Sequence, residues 1–487
     1  MLLQSLVLVQ AAIAAVEASK QFTPNFNLLQ FPYPEAGYDK YNTLRYAGGL
    51  GPHVQGTGYG IERDPPEGCA VDQVIGLFRH GERFPAVSDG ESYAPTLAKL
   101  QLGQGVTYNG SLSFLEEWTY FVPNPAEYEQ ETTEGPYAGL GDAYRAGQEY
   151  RRRYGHLWDG QSIIPIFSSG FQRVLDTGRK FGQGFFGYNY STSAAINVIS
   201  ESDSQGFDSL TPNCLIPNEG PCAIPEFPQN LNFPELQVAA ARFNNSNPGL
   251  NLNVTDIYNL LAMGSFELSV RGHSPWVNAF TREEWITFGY YRDLDYYFCN
   301  GGGQRSAILT GNVLANATLT LLNNASSSNS SLSDDDLAIY FGFTHDTNIT
   351  PVMAALNILN PANMSITGVD FDSVYKSTNI VPMGARFIIE RLNCNTTATA
   401  AAGKYVRIVL NEAVIPYTDC QDGPGYSCSL ENYSIIVGEQ LVPDLVQQCN
   451  LTDSVPQYVD FYWNYNTTQD LNYPNGTIPY AATTNWV

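Results

Sequence analysis

Short apolar runs separated by longer amphipathic stretches set the pattern of this chain. Residues 71–78 (VDQVIGLF) form a compact apolar run that ends at Arg79, and they predict a buried strand. Residues 161–167 (QSIIPIF) predict a second strand, weakened by Pro165. Residues 337–343 (LAIYFGF) predict a third, and 386–392 and 405–410 two more. After the second run, Gly170 leads into FQRVLDTGRKFGQGFF, whose apolar residues recur at helical spacing. After the third, Asp346 and Thr347 precede NITPVMAALNIL, again helical.

Between these runs the period changes. Residues 97–157 carry helical spacing, including EEWTYF and YRAGQEYRRRYGHLW, and so do 234–270 and 307–322. Residues 323–336 (NNASSSNSSLSDDD) are a polar, low-complexity loop. No internal repeat is present. Strands alternating with helical insertions predict an α/β fold: a mixed-sheet domain flanked by helices, formed by 67–93, 160–205 and 336–487. A second, smaller, mainly helical domain is inserted in pieces, 94–159 and 206–335.

The N-terminus departs from this pattern. Residues 2–16 are nearly unbroken apolar sequence followed by small residues, which predicts a signal peptide over 1–19, although a basic n-region is missing. Residues 20–66, rich in Pro, Gly, Tyr and Asn, predict an extended N-terminal arm and a candidate homo-oligomer contact. No later stretch reaches the 18 or so apolar residues of a membrane span.

Composition narrows the function. The 487 residues carry 24 basic and 48 acidic side chains, a net charge of −24. A chain this acidic lacks the basic footprint of a nucleic-acid binder and repels anionic membranes. Eight cysteines, an even number without CxxC pairs, predict disulfides rather than a zinc site. Fourteen N-x-S/T sequons at this density predict a glycosylated, secreted protein.

Two motifs at strand ends carry chemistry. RHGERFP, Arg79 to Pro85, follows the first strand, and the carboxyl ends of strands are where open α/β sheets bind ligands. Arg79 and Arg83 bracket His80, and a guanidinium fork matches phosphate oxygens. A histidine held between such clamps can attack phosphorus through a ring nitrogen. FTHDT, 343–347, ends another strand: His345 can donate to a phosphate oxygen, and Asp346 sits where an acid could protonate a leaving alcohol. Arg173 opens the helix after the second strand, where the helix N-terminus also favours an anion. An isolated histidine is more often structural, and His53, His156 and His273 are read that way, with Arg151 to Arg153 as a solvated or ion-paired helix face. HExxH, calcium-loop, Walker and GxSxG patterns are absent, so no metal and no cofactor is expected.

With these residues in hand, the chain resembles the histidine acid phosphatases, above all the secreted yeast and filamentous-fungal acid phosphatases and phytases. RHGERFP matches their RHGxRxP signature, FTHDT their distal HD motif, and FQRVLDTGRKFGQGFF the segment supplying a third phosphate-binding arginine. The resemblance implies a phosphoglycerate mutase-like fold and hydrolysis of phosphate monoesters, of the acid phosphatase or 3-phytase type, with phytate (myo-inositol hexakisphosphate) among the substrates. It implies His80 as nucleophile and Asp346 as proton donor, then base. It implies Arg79, Arg83, Arg173 and His345 as phosphate ligands. It further implies disulfides Cys69–Cys394, Cys214–Cys449, Cys222–Cys299 and Cys420–Cys428, one of 105 connectivities that eight cysteines allow. Asn348 opens a sequon beside the proposed acid and is expected to stay unmodified. The alternatives are a phosphoryl-transfer mutase, disfavoured by the signal peptide and the HD pair, and an inactive cell-wall glycoprotein, disfavoured because no expected site residue is missing.

Overall fold

The computed structural model describes residues 42–216, 218–223, 233–323, 337–397 and 401–467. The expected signal peptide, the first part of the arm (20–41), most of the low-complexity loop and the sequons at Asn324, Asn329 and Asn475 lie outside them.

Among the described residues the strands form one eight-stranded mixed sheet: β1 Cys69–Arg79, β2 Ile164–Ser169, β3 Ala194–Ile199, β4 Ile339–Thr344, β5 Arg386–Cys394, β6 Gly403–Leu410, β7 Ala413–Ile415 and β8 Cys428–Ser429. Its order is β3-β2-β4-β1-β5-β6-β7, with β8 also on β6. The pairs β3/β2, β2/β4 and β4/β1 are parallel, and the pairs from β1/β5 onward are antiparallel. β1 is therefore central, which explains its nearly continuous burial. Pro165 lies opposite Ala195 in the β2/β3 ladder but outside the pairing of β2 with β4, which runs only from Ile166 to Ser168.

The longer helices are α1 Val87–Leu100, α2 Gly139–Tyr154, α3 Gln172–Phe186, α4 Pro234–Ser246, α5 Val254–Arg271, α6 Arg282–Asn300, α7 Arg305–Leu322, α8 Asp346–Ala355 and α9 Leu430–Gln440. Strand alternation sends Val74 and Phe78 to one face of the sheet and Ile75 and Leu77 to the other. On the first face Phe78 stacks on Phe343 (centroids 4.8 Å apart) and meets Phe181 of α3 (4.9 Å) and Tyr150 of α2 (5.3 Å). Each such buried ring contributes roughly 1.5–3 kcal/mol. The backbones of α2 and α3 touch, because a Cβ at Gly147 or Gly184 would collide with a carbonyl of the facing helix. On the second face α7 and α8 join the core, packed around Ile75, Leu77, Leu309 and Val352.

Several expectations shift. The helices at 139–154 and 305–322, assigned on sequence to the inserted helical domain, flank the sheet, since their apolar faces match its two sides. EEWTYF is not α-helical: a 3₁₀ segment, Gly110–Glu116, ends there, and the chain continues to α2 through one short 3₁₀ segment, Pro125–Glu127. Residues 43–54 do not form an extended arm: they fold into 3₁₀ segments at Thr43–Tyr46 and Gly48–Leu50, Leu44, Ala47 and Val54 are buried, and Gly48 and Gly49 lie against Arg292 and Tyr296 of α6. The strand β3 and the helix α6, opened by a Thr281/Glu284 capping box, were not anticipated.

The four disulfides are those the resemblance implies. Cys69–Cys394 joins the first residue of β1 to the last of β5, which are Cα partners in register, across 325 residues of sequence. Its loss removes a constraint on the unfolded chain. Replacing Cys69 and Cys394 together by Ala is expected to cost about 2–5 kcal/mol in denaturant unfolding. An unchanged midpoint and slope would contradict the stapling role.

Candidate active site

The three parallel pairings align the C-terminal ends of β1, β4, β2 and β3 along one edge of the sheet. β1 delivers Arg79 and His80, β4 delivers His345 and Asp346, and β2 leads through Phe171 into α3, whose second residue is Arg173. Arg79 pairs in register with Thr344, which brings the RHG and HD turns side by side. The rings of His80 and His345 lie 5.9 Å apart, edge to face.

His80 is 1% exposed. Its Nδ1 lies 2.9 Å from the Gly81 carbonyl oxygen. A carbonyl only accepts, so Nδ1 carries the proton and Nε2 keeps its lone pair. Burial first, then the charges of Arg173, Arg79 and Arg83, hold the imidazole well below its ordinary pKa. The ring thus stays neutral, as a nucleophile must.

Arg79 is 2% exposed. Its guanidinium donates to the carbonyls of Gly49 (2.6 Å) and Val381 (2.5 Å) and pairs with Asp346 at 2.7 Å. Burial opposes a charge on Asp346, but Arg79 and a hydrogen bond from Tyr296 outweigh it and hold the carboxyl well below the usual range. Asp346 also opens α8 and accepts from the Thr347 N–H.

Arg173 pairs with Glu129 at 2.9 Å, and its guanidinium lies 4.1 Å over the Phe171 ring. Burial and the neighbouring Arg83 lower it to about 10, which leaves it cationic. Arg83 donates to the Phe84 carbonyl at 2.7 Å and lies over Phe266.

Beneath the RHG turn, Glu131 accepts from the Gly81 N–H (2.7 Å) and from Thr177. A Cβ on residue 81 would fall 2.7 Å from the Glu131 carboxylate and from the Gly139 carbonyl, so only glycine fits this turn.

The predicted residues Arg79, His80, Arg83, Arg173, His345 and Asp346 therefore gather at one sheet edge. Sequence reasoning missed Tyr296, Glu129, Glu131, Glu201 and the Gly49 and Val381 carbonyls. Their partners lie far away in sequence, so no local motif announces them. Of the other histidines, His53 meets the RHG turn through its backbone, its N–H donating to the Glu82 carboxylate at 2.8 Å, while burial lowers its ring to about 3; His156 and His273 meet backbone carbonyls. Arg152 and Arg153 pair with Glu149, and Arg151 lies over Trp158.

A cleft of about 580 Å³ opens beside His345, lined also by Thr347, Asn348, Glu201, Asp203 and Glu219. A larger hollow of about 900 Å³, between residues 59–67 and 416–426, contains none of these site residues. The one group of described His, Cys, Asp and Glu atoms close enough to hold a metal ion includes both cysteines of the Cys420–Cys428 disulfide, far from this chemistry.

A family profile described as the histidine phosphatase superfamily (branch 2) matches residues 70–411. The phytase PHO112 of Candida albicans is 37% identical over 441 residues, covering 88% of this chain and 92% of that protein. The acid phosphatase PHO1 of Komagataella pastoris is 36% identical over 442 residues, covering 89% and 92%. The crystal structure of the phytase from D. castellii aligns with a TM-score of 0.80 at 36% identity, over 90% of this chain and 94% of that one. The profile runs from β1 through the HD turn and β5, and on this evidence the chain belongs to branch 2 of the histidine phosphatase superfamily.

Proposed function

We propose that the protein is a secreted acid phosphatase that hydrolyses phosphate monoesters, phytate included, through a phosphohistidine at His80. The observation that carries the reading is the neutral His80 ring, its Nδ1 proton turned to the Gly81 carbonyl so that Nε2 keeps its lone pair, under the charges of Arg173, Arg79 and Arg83.

In the first step a phosphate ester is held by Arg79, Arg83, Arg173 and His345. Nε2 of His80 attacks phosphorus, the P–O bond to the leaving group breaks, and Asp346 gives that oxygen a proton. Asp346 is ionised beside Arg79 when no phosphate is bound, so it takes its proton from the acid medium as the substrate binds. A bound phosphoryl group brings negative charge to Arg79 and raises the proton affinity of the carboxyl. In the second step Asp346 takes a proton from water, the water oxygen attacks phosphorus, the N–P bond breaks and His80 is regenerated. Steering and clamping rest on the arginines, so no metal is needed. The relatives named phytase support phytate as a substrate. The carboxylates of Glu201, Asp203 and Glu219 along the cleft support a broad phosphatase rather than one specialised for polyanions.

The apolar N-terminus, four disulfides and abundant sequons support secretion. Of the eleven sequons among the described residues, eight expose their Asn, whereas Asn348 is partly buried, bonded to Thr344 and beside the site; we propose that it stays unglycosylated. Among the described residues no helix is long and apolar enough to cross a membrane. A homo-oligomer contact through the N-terminal arm, residues 20–66, remains part of the proposal.

His80→Ala is expected to lower phosphate release from an aryl phosphate and from phytate by about a thousandfold or more, while wild-type activity survives chelator. Activity that outlives the substitution or dies with chelator would contradict the mechanism. In single-turnover formation of the phosphohistidine, Asp346→Asn is expected to slow alkyl phosphates by about 10²–10⁴ and aryl phosphates far less, because a phenolate leaves without help; the second step, where Asp346 is the base, is common to both. Equal losses for both would remove Asp346 from the donor role.

The acid limb of kcat/KM is expected below the ordinary histidine value of about 6.5, since a depressed pKa keeps His80 unprotonated as pH falls. A limb at 6.5 would contradict this. Stability should follow Glu131, whose buried carboxyl is raised from 4.5 to about 8. The folded state then holds a proton that the unfolded chain has released, so this contribution is full below 4.5 and is lost as pH rises to 8. Asp293, raised to about 7, acts the same way, while His53, lowered to about 3, opposes both below 6.5. The melting temperature is therefore expected to fall as pH rises from 6.5 to 8, and Glu131→Gln should flatten that fall. A slope unaffected by the substitution would show that Glu131 is ionised in the fold.

A further inference from the structure

Three of the four parallel strands end in residues already given a role. The fourth, β3, ends at Ile199 and is followed by Ser200 and Glu201. One oxygen of Glu201, Oε1, lies 3.0 Å from Nε2 of His345 and accepts from the Phe171 N–H at 3.1 Å. Phe171 is the residue just before α3. Its ring carries the Arg173 guanidinium on one side and meets the His345 ring edge-on, 5.9 Å away. A single carboxylate oxygen thus ties the ring of one proposed phosphate ligand to the turn that presents another.

We infer that Glu201 is a positioning residue for phosphoryl transfer: its carboxylate orients His345 through Nε2, leaves Nδ1 as the donor to the phosphoryl group, and anchors the turn that carries Arg173. The inference rests on the phosphatase reading above and assigns to it a residue that neither motif contains.

The chemistry follows from the two ring nitrogens. The partner of one nitrogen decides what the other can do. An ionised carboxylate only accepts, so Nε2 must carry a proton. A second proton, on Nδ1, makes an imidazolium that donates to an anion. Without it, the Nδ1 lone pair would face phosphate oxygens. Burial disfavours charge on Glu201, but the bonds from His345 and Phe171 leave its carboxyl below the ordinary range. The other ionisable groups facing His345 are His80 from the β1 turn and Asp346 from its own turn, with Arg173 from α3 coupled to Glu201.

The test compares the wild type, E201Q and E201D. Aryl phosphate hydrolysis and its inhibition by orthophosphate are followed from pH 3 to 8, and the His345 ring is followed by NMR, assigned through the loss of its signal in His345→Gln. E201Q keeps the size of the side chain and an accepting oxygen but removes the charge. It is expected to raise KM and the orthophosphate inhibition constant about tenfold, with a smaller change in kcat. It should also move the basic limb of the pH profile to lower pH. E201D should restore most of both. E201Q with wild-type KM and pH profile would overturn the inference. Should E201Q not fold, the wild type decides: neutral His345 is expected as the Nε2–H tautomer by ¹⁵N shifts, and an Nδ1–H tautomer would overturn the inference. Failure of the phosphatase reading is seen separately, as a wild type without turnover, and the NMR result still reports on the Glu201–His345 pair.

Discussion

The guanidinium of Arg79 carries a full charge where water scarcely reaches, and distant parts of the chain are arranged to satisfy it. Leaving a buried cation unpaired costs several kcal/mol. The Gly49 carbonyl comes from the turn ahead of β1, the Val381 carbonyl from the approach to β5, and the Asp346 carboxylate from the end of β4. Satisfying this one group fixes the position of Asp346 relative to His80, because His80 is the next residue in the chain. It also gives the segment at 43–54 a reason to be buried, since its carbonyl must reach Arg79.

The second constraint is the sheet edge. Parallel pairing of β1 with β4 in register puts the RHG and HD turns together without any contact between their side chains having to do so. The aromatic packing beneath, with Phe78, Phe181, Phe341 and Phe343 in mutual contact, makes that edge stiff. Geometry that must hold a phosphoryl group within hydrogen-bond reach of several donors needs such a base.

Much of this was legible in the chain itself, and the limits of legibility have physical causes. The runs at 71–78 and 337–343 stood out because a strand buried on both faces reads as a continuous apolar stretch. The motifs stood out because their residues are adjacent in sequence. β3 did not, because AAINVI is short and follows a polar Tyr-Ser-Thr stretch that gives no boundary signal. α6 is so aromatic that its apolar face is not confined to one stripe. Tyr296, Glu129, Glu131 and Glu201 act on residues tens to hundreds of positions away, and only the fold brings them there. EEWTYF misled because helical spacing over six residues is too short to pay for nucleation without a cap.

The electrostatics push the same residues toward work in acid. Burial and arginine charges keep His80 neutral, Arg79 holds Asp346 ready as a carboxylate until phosphate arrives, and the buried Glu131 under the RHG turn prefers its proton. The central claim is that phosphate passes through a covalent bond to His80. It is tested most directly by quenching the enzyme in alkali during turnover of a radiolabelled aryl phosphate and mapping the label by peptide. The account predicts an alkali-stable, acid-labile phosphate on the peptide containing His80. A chain that turns over substrate yet carries no label there, or carries it on another residue, would contradict it.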